Sequence, residues 1–347
     1  MRSRTCVVHA ARDLRIDTAD VGEPGPGQVL VRIGAGGICG SDLHYFQDGG
    51  FGAIRVREPL TLGHEVAGTV ERIGAGVTRV REGQRIALNP SRACGRCSFC
   101  QSGQHQHCVD MVFYGSARTM PHSQGAFRDW IVAEETQCEP VGEDISVTEA
   151  ACCEPLSVAL HAVRQAGGLV GKRVLVTGAG PIGALAVAAA RFAGALEIVA
   201  CDLRDRPLAI ARQMGATDVV NTATQPDAIE RRFCGGKGYF DVVLECTGAP
   251  AILSGVLPAV APRGVIVQVG YPDSVTLALG TLISKEISLV GTHRFNGEFS
   301  LAARLVSERR IDVRPVISAV VPLNEAAHAF ELAGDRNTHM KVLLDFS

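Results

Sequence analysis

Arg173-Val174-Leu175-Val176-Thr177-Gly178-Ala179-Gly180-Pro181-Ile182-Gly183 joins a short run of β-formers to a glycine-punctuated turn, and an Ala-rich helical stretch to about Ala193 follows. A second β-rich run, Glu197-Ile198-Val199-Ala200-Cys201-Asp202, ends on an acid. Strand, G-x-G-x-x-G, helix, strand and acid in that order form the dinucleotide-binding fingerprint in the context it requires. The glycines let the backbone approach a pyrophosphate, and the helix N-terminus presents aligned N–H donors to it. The pattern assigns Gly178, Gly180, Pro181, Ile182 and Gly183 to the diphosphate and Asp202 to the adenosine-ribose hydroxyls. A 2′-phosphate at Asp202 would meet a like charge at about 4 Å, costing roughly 1–4 kcal/mol. NAD is therefore favoured, while Arg204 and Arg206 offset the repulsion enough to leave NADP open.

Further βα units extend the same pattern: Asp218–Asn221, Phe240–Glu245, Gly264–Gly270 and Ile287–Gly291. With the first two strands they make six, the number in a complete doubly wound nucleotide-binding sheet. Thr247, in Cys246-Thr247-Gly248, and Val269, in Val269-Gly270-Tyr271, stand at strand ends where such a sheet opens its crevice. Each is a candidate neighbour of the nicotinamide; an ordinary strand-end turn is the competing reading.

Upstream the period changes. Thr5–His9, Val29–Ile33, Val66–Gly74 and Gln84–Leu88 are β-rich, and Gly22-Glu23-Pro24-Gly25-Pro26-Gly27 marks a turn. Long helical patterns are absent before about residue 145, so a β-rich domain closed on itself is expected. Within it, Gly36-Gly37-Ile38-Cys39-Gly40-Ser41-Asp42-Leu43-His44-Tyr45 gathers a thiol, a hydroxyl, a carboxylate, an imidazole and a phenol, and Gly63-His64-Glu65 follows. Thiolate, imidazole and carboxylate are ligands that zinc accepts, and a catalytic zinc takes three protein ligands and leaves one position open.

Cys94, Cys97, Cys100 and Cys108 are spaced so that four sulfurs wrap one zinc tetrahedrally, with no open position and hence a structural role. His105 or His107 in place of Cys108 is the alternative ligand set. Farther on, Glu154 stands before Pro155 amid apolar residues at a helix start. A buried carboxylate needs a partner, so a metal or its water competes there with simple stabilisation by the helix dipole. Near the end, Phe299–Glu308 and Asn324–Ala333 read as helices and Lys341–Asp345 as a strand returning to the first domain. Arg294 follows a strand end, placed either to hold an anionic or polyhydroxylated substrate or to lie on the solvated surface.

The order C-G-S-D-L-H, then G-H-E, then the four-cysteine knuckle, Glu154-Pro155-Leu156-Ser157-Val158 and the dinucleotide fingerprint resembles the zinc-dependent medium-chain dehydrogenase/reductase family. The fit is best to its polyol and sugar-acid branch. The resemblance covers nearly the whole chain and implies an α/β architecture: a chaperonin-10-like β-rich catalytic domain plus a Rossmann domain with a six-stranded parallel sheet. The catalytic domain is expected over 1–152 and 293–347, with the structural zinc lobe at about 90–110, and the nucleotide domain over 153–292. By resemblance Cys39 and His64 are catalytic zinc ligands. Glu65 and Glu154 share the third protein position, directly or through water, and Asp42 orients His64. Ser41 and His44 correspond to a proton relay, with Tyr45 and Arg294 as substrate contacts. The implied cofactors are two zinc ions per chain and NAD, with NADP possible. The implied reaction is oxidation of a secondary alcohol on a polyol or sugar acid, in a homodimer or tetramer. Threonine dehydrogenases share most of these positions.

The totals agree with that class. The 347 residues are 46% apolar and 20% charged, with a formal net charge of −2. Interspersed charge with no basic stripe argues against a nucleic-acid partner. The N-terminal residues lack the apolar core of a signal peptide, and apolar runs such as Ala184 to Ala190 are too short to span a bilayer. Twelve cysteines in such a chain point to metal and buried thiols in a reducing, cytoplasmic setting. A nucleotide-binding redox sensor without turnover is the remaining alternative.

Overall fold

The computed structural model describes residues 1–272 and 274–347. Two compact units emerge: Met1–Glu154 with Phe299–Ser347, and Pro155–Glu298.

The first unit is built on a seven-stranded sheet. Its strands run Cys138–Pro140, Arg85–Leu88, Glu65–Ile73, Gln28–Gly37, Lys341–Asp345 and Ile317–Pro322, with Trp130–Glu134 also pairing with Gln28–Gly37. The run Val29-Leu30-Val31 is wholly buried because both faces of that strand are covered. A smaller sheet pairs Arg2–Ala10 with Asp13–Asp20 and Leu60–Thr61. Three strand ends meet where chemistry is expected: Gly37 lies opposite Glu65 on one side and Leu343 on the other.

A helix, Gly40–Asp48, follows directly, a short element that the β-rich reading of this region did not foresee. Cys39 is its N-cap, and the Asp42 side chain accepts the Cys39 backbone N–H at 3.0 Å. The C-x-x-D spacing is therefore a capping device that satisfies a donor at the helix start. The helix stops at Gly49, whose φ of 67° only glycine adopts freely.

In the second unit, six strands form one parallel sheet in the order Asp218–Asn221, Glu197–Asp202, Arg173–Thr177, Phe240–Glu245, Val260–Gln268 and Ser288–Gly291. Val174, Leu175 and Val176 are all fully buried, as expected for a parallel strand covered on both faces. The connection reverses direction between Arg173–Thr177 and Phe240–Glu245, and a doubly wound sheet binds its ligand at that switch point. Among the described residues no helix is long and apolar enough to cross a membrane.

Candidate active site

The sequence folds Cys39, His64 and Glu65 into one group whose ligand atoms lie within 4.8 Å of one another. Cys39 arrives from the helix cap, and His64 and Glu65 from the start of the strand Glu65–Ile73. The fully buried Asp42 stands behind them. One carboxylate oxygen accepts the Gly63 N–H at 3.3 Å and lies 3.7 Å from His64 Nδ1. His64 Nδ1 is buried with no hydrogen-bond partner and faces the Asp42 carboxylate, an orientation that leaves Nε2 to a metal. Gly37 makes room, because a Cβ there would lie 2.3 Å from Glu65 Oε2.

The electrostatics of this group call for a cation. Burial pushes the Cys39 thiol up to about 12, and the neighbouring Glu65 and Asp42 add to the rise. The nearby Ser41 hydroxyl acts the other way. Glu154, 5% exposed, is raised to about 8, first by burial and then by Glu65 and Cys39, with His64 opposing. The buried Cys39 thiol and Glu154 carboxyl are costly as anions without positive charge beside them, and a divalent ion inverts that cost. Thiolate, imidazole and carboxylate with one side open fit a catalytic zinc. Glu154 is not a member of the three-ligand group, although it lies within electrostatic reach of all three.

Lys341 is a participant that sequence reasoning did not single out. Its ammonium, only 4% exposed, donates to both Glu65 oxygens at 2.7 and 2.8 Å and to the Ile38 carbonyl at 3.2 Å. Burial lowers the Lys341 pKa, but Glu65 outweighs it and holds the amine protonated well above its ordinary value. Its partner is 276 residues away in sequence. The only local signal was a lysine opening an otherwise apolar strand.

The second cluster unites Cys94, Cys97, Cys100 and Cys108. Sulfur separations are 3.5 Å for Cys97–Cys100 and 4.0 Å for Cys94–Cys100. A tetrahedron with Zn–S arms of about 2.3 Å has edges of about 3.8 Å, so the spacing fits zinc, and all four cysteines are free. Backbone N–H groups of Cys100 and Val109 draw the Cys97 thiol down to about 6. His105 and His107 are exposed and lie outside this cluster.

In the nucleotide-binding unit, Gly178 adopts a φ of 79° and Gly180 caps the helix Pro181–Phe192. A Cβ on Gly183 would come within 1.8 Å of the Gly178 carbonyl, so helix and turn pack at a distance that requires glycine. No side chain caps this helix, so its first N–H groups remain available for a diphosphate. Pro181 and Ile182 form its first turn. Asp202 accepts the N–H groups of Ala179 at 2.8 Å and Arg204 at 3.1 Å, which fixes the carboxylate beside the turn. Thr247 reaches the same place: a Cβ on Gly178 would lie 2.8 Å from its Cγ2. Val269 follows the next strand, its N–H bound to the Glu245 carbonyl at 2.8 Å.

Ser41 is half-buried, and His44, three residues on, is exposed with Nδ1 3.2 Å from Asp48. Tyr45 is 3% exposed, and its hydroxyl accepts the Ala117 N–H at 3.2 Å while its ring packs near Phe51. Arg294 is half-buried with a φ of 53°, in the left-handed region.

The family model described as the alcohol dehydrogenase GroES-like domain matches residues 25–143, and that of the zinc-binding dehydrogenase matches residues 181–308. Over 347 residues the chain is 40% identical to L-idonate 5-dehydrogenase (NAD(P)(+)) of Escherichia coli strain K12, covering 100% of this chain and 99% of that protein. It is 33% identical to sorbitol dehydrogenase of Gallus gallus over 341 residues, 97% of this chain and 95% of the relative. The crystal structure of L-idonate 5-dehydrogenase from Escherichia coli K-12 MG1655 matches with a TM-score of 0.94 at 40% identity, covering 99% of this chain and 98% of that one. With GroES-like and zinc-binding dehydrogenase segments both matched, and such relatives spanning its whole length, the chain belongs to the zinc-dependent medium-chain dehydrogenase/reductase family.

Proposed function

We propose that this enzyme oxidises a secondary alcohol of a sugar acid or polyol with NAD(P), and that its substrate is L-idonate, giving 5-keto-D-gluconate. The carrying observation is the 40% identity to an L-idonate 5-dehydrogenase along the entire chain, joined to a thiol, imidazole and carboxylate whose ligand atoms lie within 4.8 Å of one another. A polyol of the sorbitol or xylitol type is the second reading, favoured by the 33% identity to a sorbitol dehydrogenase. L-Threonine is a third.

In this reading Cys39, His64 and Glu65 hold one zinc, with Glu154 near it, and Cys94, Cys97, Cys100 and Cys108 hold another. Bound zinc supplies Lewis acidity that brings a hydroxyl toward ionisation near neutral pH, and nicotinamide supplies the hydride acceptor. Asp42 keeps His64 in one orientation. Ser41, two residues after Cys39 at the start of the helix Gly40–Asp48, takes the alcohol proton as it gives up its own. His44, exposed three residues farther along the helix, passes it to solvent. With nicotinamide bound, the C–H hydride would pass to it and the proton to Ser41, and the alcohol, having given up two electrons and two hydrogens, would become a ketone. Asp202 holds the adenosine ribose, and Arg294 takes the substrate carboxylate.

The catalytic unit is proposed to comprise 1–152 and 293–347. Free thiols throughout suit a reducing compartment such as the cytoplasm. The exposed edge strand Ser288–Gly291, with Leu289, Ile283 and Leu279 also exposed, supports assembly into a homo-oligomer. A panel of L-idonate, sorbitol, xylitol, L-threonine and simple alcohols, followed by NADH absorbance, tests the substrate. L-Idonate is expected to lead in kcat/KM by at least about tenfold, one such step being about 1.4 kcal/mol of transition-state binding. A lead by sorbitol or threonine overturns the assignment. Cys39→Ala is expected to abolish turnover and leave nucleotide binding intact; full residual activity defeats the metal reading.

A further inference from the structure

The carboxylate of Glu245 lies fully buried at the end of the strand Phe240–Glu245, and five donors converge on it. Oε1 accepts the Thr247 N–H at 2.8 Å, the Thr177 hydroxyl at 3.3 Å and the Thr247 hydroxyl. Oε2 accepts the Gly248 N–H at 3.1 Å and the Gln268 side-chain amide. The backbone carbonyl of Glu245 accepts the N–H groups of Val269 and Gly270, each at 2.8 Å. One residue thus ties together the ends of three neighbouring strands, Arg173–Thr177, Phe240–Glu245 and Val260–Gln268, on the side where the crevice opens.

Every donor to this carboxylate is neutral. The two backbone N–H groups and the amide NH2 can only donate, which matches an ionised, acceptor-only carboxylate. A buried anion satisfied by hydrogen bonds alone keeps its field, and among the described residues no ion pair of Glu245 cancels it.

We propose that Glu245 is a positioning residue for the dinucleotide that also biases its redox state. It fixes Thr247 and Val269 beside the nicotinamide, and its charge favours the cationic oxidised ring over the neutral reduced one. The inference rests on the NAD(P) reading above, and it gives a buried acid outside the metal centre a part in the reaction. At an effective dielectric near 20, removing a unit charge from the protein side of the ring is expected to shift the ratio of the two affinities by about tenfold.

The test measures Kd for NAD+ and for NADH by calorimetry on the zinc-loaded, full-length protein. Glu245→Gln should weaken NAD+ relative to NADH by about tenfold. Because an amide at this site faces several donors and can disturb folding, Gln268→Lys carries the test independently. It places an ammonium where an amide already donates to Glu245, and the buried Gln268 Oε1 has no partner to lose. The same shift in the ratio is expected. Thr177→Val removes one hydrogen bond and keeps the charge, so it should leave the ratio unchanged. An unmoved ratio in folded Gln268→Lys, or an equal shift in Thr177→Val, overturns the inference. Wild-type protein that binds neither nucleotide brings down the dinucleotide reading itself.

Discussion

Replacing Lys341 with methionine keeps the length of the side chain and removes its charge. The ammonium lies 2.7 and 2.8 Å from the two oxygens of Glu65, and the side chains are 4% and 2% exposed. Removing one partner of a buried pair leaves the other charge without compensation and costs about 3–5 kcal/mol. In a unit of roughly 200 residues, 1 kcal/mol moves Tm by about 2–4 °C, so metal-stripped Lys341→Met should melt about 6–20 °C below the wild type. Zinc changes the outcome. A divalent ion against Cys39, His64 and Glu65 gives the orphaned carboxylate a new counter-charge, and one cation beside the metal has been removed. Zinc should therefore raise Tm more in Lys341→Met than in the wild type, and a competing chelator should need a higher concentration to strip this site.

The assay pairs denaturant unfolding of stripped and loaded protein with chelator titration of bound zinc. The double variant Glu65→Met/Lys341→Met completes the cycle. With both charges replaced by apolar groups its metal-free stability should return toward wild type, and its active-site zinc should be weakened. A stripped Lys341→Met within about 1 kcal/mol of wild type, well under the cost of an orphaned buried charge, refutes the reasoning. So does an equal zinc response in both proteins.

Cys97→Ala should lose about one zinc per chain, the knuckle ion, and lower Tm because such an ion contributes directly to folding; metal analysis and calorimetry read both, and unchanged values refute the knuckle. Asp202→Ser should raise the NADP-to-NAD ratio of kcat/KM at least about fivefold, since the like charge it removes is worth roughly 1–4 kcal/mol; an unchanged ratio shows that Arg204 and Arg206 already neutralise it. Burial raises the pKa of Glu298, but the His161 ring, with Nδ1 3.2 Å away, and the Asn296 N–H outweigh it and hold the group at about 2. Its charged form is thus favoured in the folded state, so it contributes stability above the ordinary value of 4.5 that is lost as pH falls toward 2. Glu298→Gln should be less stable at pH 7 and lose less stability than wild type between pH 4.5 and 2; parallel acid-unfolding curves contradict this.

How far the molecule was legible in its sequence depends on how far apart the interacting residues lie. The central parallel strands were readable because Val174–Val176, Ile198–Cys201 and Val242–Leu244 are continuous apolar runs, the mark of a strand buried on both faces, while the edge strands Asp218–Asn221 and Ser288–Gly291 were marked by short β-formers between polar or glycine ends. The zinc knuckle was readable because its four sulfurs fall between Cys94 and Cys108. Cys39 and Asp42 were readable as site residues but not as a helix start, since few apolar positions mark the nine-residue element Gly40–Asp48. Lys341 and Glu245 form the opposite case. The partner of Lys341 lies 276 residues away and is set by strand register at Gly37, while the donors to Glu245 come from three strands. Each nevertheless carries a common mark: Lys341-Val342-Leu343-Leu344 and Val242-Val243-Leu244-Glu245 place a charge at the end of a run that must be buried. A charge so placed has to find compensation, so the sequence announces that a partner exists, and only the folded sheet says which one. In Lys341 the compensation is an opposite charge and the field is cancelled near Glu65. In Glu245 it is a set of neutral donors, and the field survives to act on whatever binds in the crevice.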